Sequence, residues 1–153
     1  MKKHVVSLAG AVAVVGAFSL AVFAQTPPAD RAIKYRQGVM TAQGWHMGIL
    51  GGMAKGERPY DKDTAVRSAM FVEELIKMPW EGFPPGSDQG APTKAKAEIW
   101  KDPAKFKQRA DAAMAEAPKL VAAAKTGELS QLRSAIGPMG NACNNCHDDF
   151  RSK

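Results

Sequence analysis

The stretch that most limits how this chain can fold is CNNCH, residues 143–147, near the end of the 153-residue sequence. It holds both cysteines and one of the three histidines. A closed zinc site needs about four ligands, and this cluster offers too few. A redox-active CxxC normally follows a strand in an α/β pattern, and no such alternation is present. C-x-x-C-H is also the attachment signature of c-type haem. At about 100° per residue, Cys143, Cys146 and His147 fall on one face of a helical turn. Two thiolates on that face can bond the two vinyl groups on one edge of a porphyrin. His147 then presents its imidazole to the iron, while Asn144 and Asn145 point elsewhere. The competing interpretation is a structural CxxC disulfide in a secreted helical interaction protein.

The N-terminus favours export. A short basic segment, MKKHVV, precedes an Ala- and Val-rich run, and AVFA offers small residues at Val22 and Ala24. This is the order of a secretory signal, and the run is short for a membrane span. Residues 1–24 are expected to be a cleaved signal peptide and residues 25–153 a single domain; an uncleaved anchor is the alternative. Cleavage removes Lys2 and Lys3 and lowers the formal charge from +6 to +4. Scattered lysines without a basic run describe a solvated surface, which argues against nucleic acid as a partner. No stable membrane insertion is expected after signal removal. An oxidising compartment, the periplasm, also means that Cys143 and Cys146 will not persist as thiols by default.

Apolar spacing predicts an all-α chain. The first helix spans about Ala29 to Lys55 and stops at Gly56, a natural left-handed cap. Asp61 or Asp63 caps a second helix that reaches about Met78. MPWEGFPPGSDQGAPTKAK carries four of the ten prolines, and is expected to be a long irregular connection. AEIW forms one turn before Asp102 caps the third helix, with Pro103 at its first position. That helix runs to about Lys125 and stops at Gly127; the fourth, about Leu129 to Phe150, carries the CxxCH motif. Four helices with one long crossover suggest an antiparallel four-helix bundle holding its cofactor in the core. Pro118 and Pro138 lie inside the third and fourth helices, where each is expected to kink or break its helix.

On the first helix, Met40 centres a stripe: Arg36, Ile33, Gln37, Gly44 and Met47 all lie within about 60° of it. His46 lies about 120° away and Met53 about 140°, so a surface or interface histidine and a core methionine are expected there. Arg36 on this stripe either snorkels to water or neutralises a carboxylate of a bound group.

From AIKYRQGVM to CNNCHDDFR the chain resembles the cytochrome c' family, the class II c-type cytochromes. The likeness rests on KYRQ, KGERPYD, MPWEGFPPGSD, AEIW, KTGELSQL and the terminal CxxCHxxFR, and it covers essentially the whole mature chain. It implies a periplasmic, antiparallel four-helix bundle, often a homodimer, with one covalent haem c. It implies five-coordinate, high-spin iron ligated by His147, electron exchange with redox partner proteins, and binding of small gases such as nitric oxide or carbon monoxide. The expected role is not that of an enzyme. Met40 takes the family's distal position and lines that pocket; in a low-spin electron-carrying branch a methionine there is the sixth ligand. The resemblance assigns Arg36 and Gln37 to a haem propionate and brings Ser87 and Asp88 near the same edge. Trp80 and Phe83 match aromatic positions flanking the haem. Arg151 is carried over as a proximal-side residue, with an ordinary cation favoured by the helix C-terminus as its alternative.

Overall fold

A computed structural model describes residues 28–153, so the expected signal segment 1–24 lies outside the described residues. The helices are α1 (Ala29–Lys55), α2 (Lys62–Leu75), α3 (Glu98–Lys101), α4 (Pro103–Thr126) and α5 (Leu129–Phe150), with a 3-10 turn at Pro79–Gly82. The four long helices make an antiparallel bundle in which α1 packs on α2 and α5, and α4 on α2 and α5. No helix among the described residues is long and apolar enough to cross a membrane.

The helix ends follow from local chemistry. Gly56, at φ 80°, caps α1 and donates its N–H to Met53 O at 3.2 Å. Asp61 accepts from Thr64 N at 2.8 Å to start α2. Asp102 accepts from Lys105 N at 3.0 Å to start α4, ahead of Pro103. Gly127, at φ 82°, ends α4.

The second helix is shorter than its spacing suggested. It ends at Leu75 rather than near Met78, because Pro79 follows and the backbone tightens, with Lys77 and Met78 donating to Glu74 O and Leu75 O. Two side chains add to this: Gln43 Nε2 donates to Leu75 O and Trp80 Nε1 to Ile76 O. Neither proline breaks its helix, for α4 runs unbroken through Pro118 and α5 through Pro138. Both rings are exposed, so the carbonyls they orphan lie on the side where water can satisfy them.

The bundle is solid at one end and hollow at the other. Leu50 and Met53 of α1, Ala65 and Ala69 of α2, Ala117, Leu120 and Ala124 of α4, and Leu132 of α5 form the solid end. The alanines let α2 and α4 approach closely, while Leu50, Leu120 and Leu132 are wholly buried and each contributes roughly 1.5–3 kcal/mol. At the hollow end, residues 94–96 pair antiparallel with residues 150–152. Lys96 N donates to Phe150 O at 2.9 Å and Ser152 N to Lys94 O at 2.8 Å.

Candidate functional site

The hollow end contains a cavity of about 730 Å³ that all four long helices and the 79–97 connection enclose. Its volume lies in the range of roughly 300–1,000 Å³ usual for ligand and cofactor sites. From α5 it is bordered by Met139, Gly140, Cys143, Asn144, Cys146, His147 and Phe150, with Arg151 just beyond; from α1 by Arg36, Gln37, Met40, Thr41, Gln43, Gly44 and Met47. The three CxxCH residues thus border one cavity, as their i, i+3, i+4 spacing requires. Asn144 borders it too. The expectation that Asn144 points away is corrected: the space reaches past the Cys143–His147 face to the next residue round the helix.

A hydrogen bond fixes how α1 and α5 stand against each other. Arg133 Nε on α5 donates to Ala54 O on α1 at 2.7 Å. Since the two helices rise equally per residue and run antiparallel, fourteen residues back from Ala54 and fourteen on from Arg133 bring Met40 level with His147. The same count of seven brings Met47 level with Gly140. Met40 and His147 therefore border the cavity from facing helices, within about a turn of each other along the bundle axis.

Cys143 and Cys146 are both half-buried. Burial pushes both thiol pKa values up, Cys146 to about 11 with a further push from neighbouring Cys143. Burial lowers the His147 pKa, and the Arg151 charge lowers it further against the pull of Asp148. Both effects favour the neutral imidazole, the form that ligates metal. Below it, Asp149 ties α5 to α4 by accepting from Lys105 Nζ at 3.0 Å and Arg109 Nε at 2.8 Å.

Arg36 is buried, only 3% exposed, and its terminal nitrogens hold the connection in place. Nη1 donates to Gly82 O and Ser87 Oγ, both at 2.8 Å; Nη2 donates to Ser87 O at 2.6 Å and Thr93 Oγ1 at 3.0 Å. The guanidinium carbon lies 4.5 Å from the centroid of Phe83. Burial pulls the Arg36 pKa down and the charge of Asp88 pushes it back. Gly82 is required beneath it, since a Cβ there would come within 2.9 Å of Arg36 Cβ. Gln37 Nε2 likewise donates into the connection, to Pro92 O at 2.9 Å. Ser87 is fully buried behind Arg36, whereas Asp88 is exposed. Neither borders the cavity.

Trp80 and Phe83 border the cavity within an aromatic cluster centred on Phe106. That ring meets Phe83 at 4.9 Å, Phe150 at 5.2 Å and Trp80 at 5.8 Å, each edge to face. Phe106, Phe150, Met47 and Met139 also belong to the lining. Met139 and Phe150 sit four residues before Cys143 and three after His147, a helical spacing that carries the signal. Nothing in the sequence pointed to Phe106. His46 stands apart from the cavity, stacked on Phe71 with centroids 4.7 Å apart.

The residues fit a flat prosthetic group bonded to α5. Two thiols and a neutral imidazole share one wall, apolar side chains and aromatics make most of the rest, and a buried cation at one edge hydrogen-bonds to no carboxylate. Arg36 itself borders the cavity at that edge.

The model of the family described as Cytochrome C' matches residues 31–151. Cytochrome c' of Rubrivivax gelatinosus is 43% identical over 126 residues, covering 82% of this chain and 97% of that protein. Its crystal structure has a TM-score of 0.79 at 41% identity, covering 84% of this chain and 100% of that one. A nitric oxide complex of a mutant cytochrome c prime from Alcaligenes xylosoxidans has a TM-score of 0.77 at 37% identity, covering 84% and 99%.

Proposed function

The chain belongs to the cytochrome c' family, and on that premise we propose that it is a periplasmic electron-transfer protein that binds small gases at a five-coordinate, high-spin haem c. Like its family it carries one covalent haem c, held through Cys143 and Cys146 with His147 as the proximal ligand. When bound, that group supplies an iron that exchanges an electron or takes up a diatomic ligand such as nitric oxide or carbon monoxide. The bundle controls what reaches the iron; it is not an enzyme turning over a substrate. Arg36 and Gln37 serve a propionate edge, while Ser87 holds Arg36 in place and Asp88 contributes charge alone. Arg151 lies on the proximal side and acts on His147 through its charge.

One observation carries this reading. Among the residues bordering the cavity His147 is the single imidazole, and the α1 wall level with it offers the thioether of Met40. Half-buried Met40 crowds the distal side without the strength of a second nitrogen ligand. The relative captured as a nitric oxide complex supports gas binding.

The rival within the same fold is a low-spin His147/Met40 carrier. Ferric optical and EPR spectra of the haem-loaded protein separate the two. We expect a high-spin signal that barely changes in Met40→Leu. A low-spin signal with a methionine-to-iron band, lost in that variant, would establish ligation instead. A pyridine haemochrome assay that found no haem on protein matured with ligation machinery would leave the CxxC disulfide. Exposed Trp45, Met70 and Phe71 on α1 and α2 support a homodimer, testable by sedimentation.

A further inference from the structure

We propose that small ligands reach the distal side of this site through a portal between α1 and α5, framed by Thr41 and Gly44 on one helix and Gly140 and Asn144 on the other. All four border the cavity. Thr41, Gly44 and Asn144 are also exposed, and Gly140 is half-exposed. These residues therefore touch the interior space and solvent at once.

The seam between α1 and α5 is fastened only at its far end. Among the described residues, the one side-chain hydrogen bond joining the two helices is Arg133 to Ala54, beside the solid core. At the level of the cavity Thr41 Oγ1 donates to Gln37 O on its own helix, so it does not bridge the gap. A Cβ built on Gly44 or on Gly140 meets no other atom within 4 Å.

The portal leads to the side that matters. Gly44 stands between Met40 and Met47, one turn from each, on the wall facing α5. A ligand passing it meets the α1 wall that carries the Met40 and Met47 thioethers. The frame carries no charged group, which suits a neutral diatomic better than an anion. Gly44 is thus an access-determining residue, and the size of the side chain there sets how fast a gas arrives.

This inference rests on the gas-binding reading above, and its test separates the two. Carbon monoxide association with the ferrous, haem-loaded protein is followed by flash photolysis in the parent, Gly44→Ala, Gly44→Leu and Gly48→Leu. Gly48 is the control, being exposed on the same helix and clear of the cavity. Gly44→Leu is expected to slow association by about tenfold or more, within the range over which on-rates respond to substitution. Gly44→Ala should slow it less and Gly48→Leu not at all, with the unligated spectrum unchanged in each. Equal rates in Gly44→Leu and Gly48→Leu would overturn the portal and leave gas binding intact. A parent protein that binds no carbon monoxide would overturn both.

Discussion

Removing the Arg36 side-chain charge leaves Gly82 O, Ser87 Oγ and buried Ser87 O without their donors, while Thr93 Oγ1 keeps only the Ala95 N–H. Arg36→Met, which keeps most of the volume, is therefore expected to lower stability by about 3 kcal/mol, the scale for losing a buried charged donor. Ser87→Ala removes one acceptor and should cost about 1 kcal/mol. Urea unfolding of the haem-loaded protein measures both, and equal midpoints for Arg36→Met and the parent would mean that the connection holds without its clamp. Helical spacing was enough to put Arg36 and Met40 on one stripe, because periodicity reports which face of a helix a residue occupies. The partners were another matter. Ser87 and Thr93 lie 51 and 57 residues from Arg36 in sequence, and nothing local in GSDQGAPT distinguishes buried Ser87 from exposed Asp88.

At the scale of elements, caps were legible and the end of α2 was not. Asp102 followed by Pro103, Gly56 and Gly127 each impose a boundary through their own backbone or side-chain chemistry. The end of α2 combines the local tightening before Pro79 with a long-range bond, Gln43 of α1 donating to Leu75 O, and that second part has no local signal. Asp102→Ala removes the acceptor for Lys105 N and should cost about 1 kcal/mol, read as a lower thermal midpoint. Pro118 is exposed on α4 and leaves the Met114 carbonyl without its helical donor. Pro118→Ala is expected to restore that bond and raise stability by about 1–3 kcal/mol. A fall in stability would mean that the ring itself is needed where it stands.

Across the whole molecule, the division between an alanine-lined solid end and a hollow end depends on how high each residue stands along the bundle axis, which periodicity does not report. CNNCH foretold a cofactor on the last helix, and the family pattern its fold; the level of Met40 opposite His147 comes only from how α1 and α5 are docked. Asp149 sets the corresponding level between α5 and α4, immediately after the motif. Hydrogen bonds from Lys105 and then Arg109 hold its carboxyl below the usual carboxylate range. A carboxylate whose folded-state pKa is depressed adds stability that is complete above its unfolded-state pKa, about 4, and fades as pH falls through the lower folded value. Asp149→Asn is neutral at every pH, so the gap in stability between parent and variant should be widest near neutrality and narrow below about pH 4. Urea midpoints of the haem-loaded proteins, taken from neutral to acid pH, provide the comparison. A gap that stays constant across that range would assign the contribution of Asp149 to packing rather than to its charge, and the cations of α4 would then have no part in seating the haem-bearing end of α5.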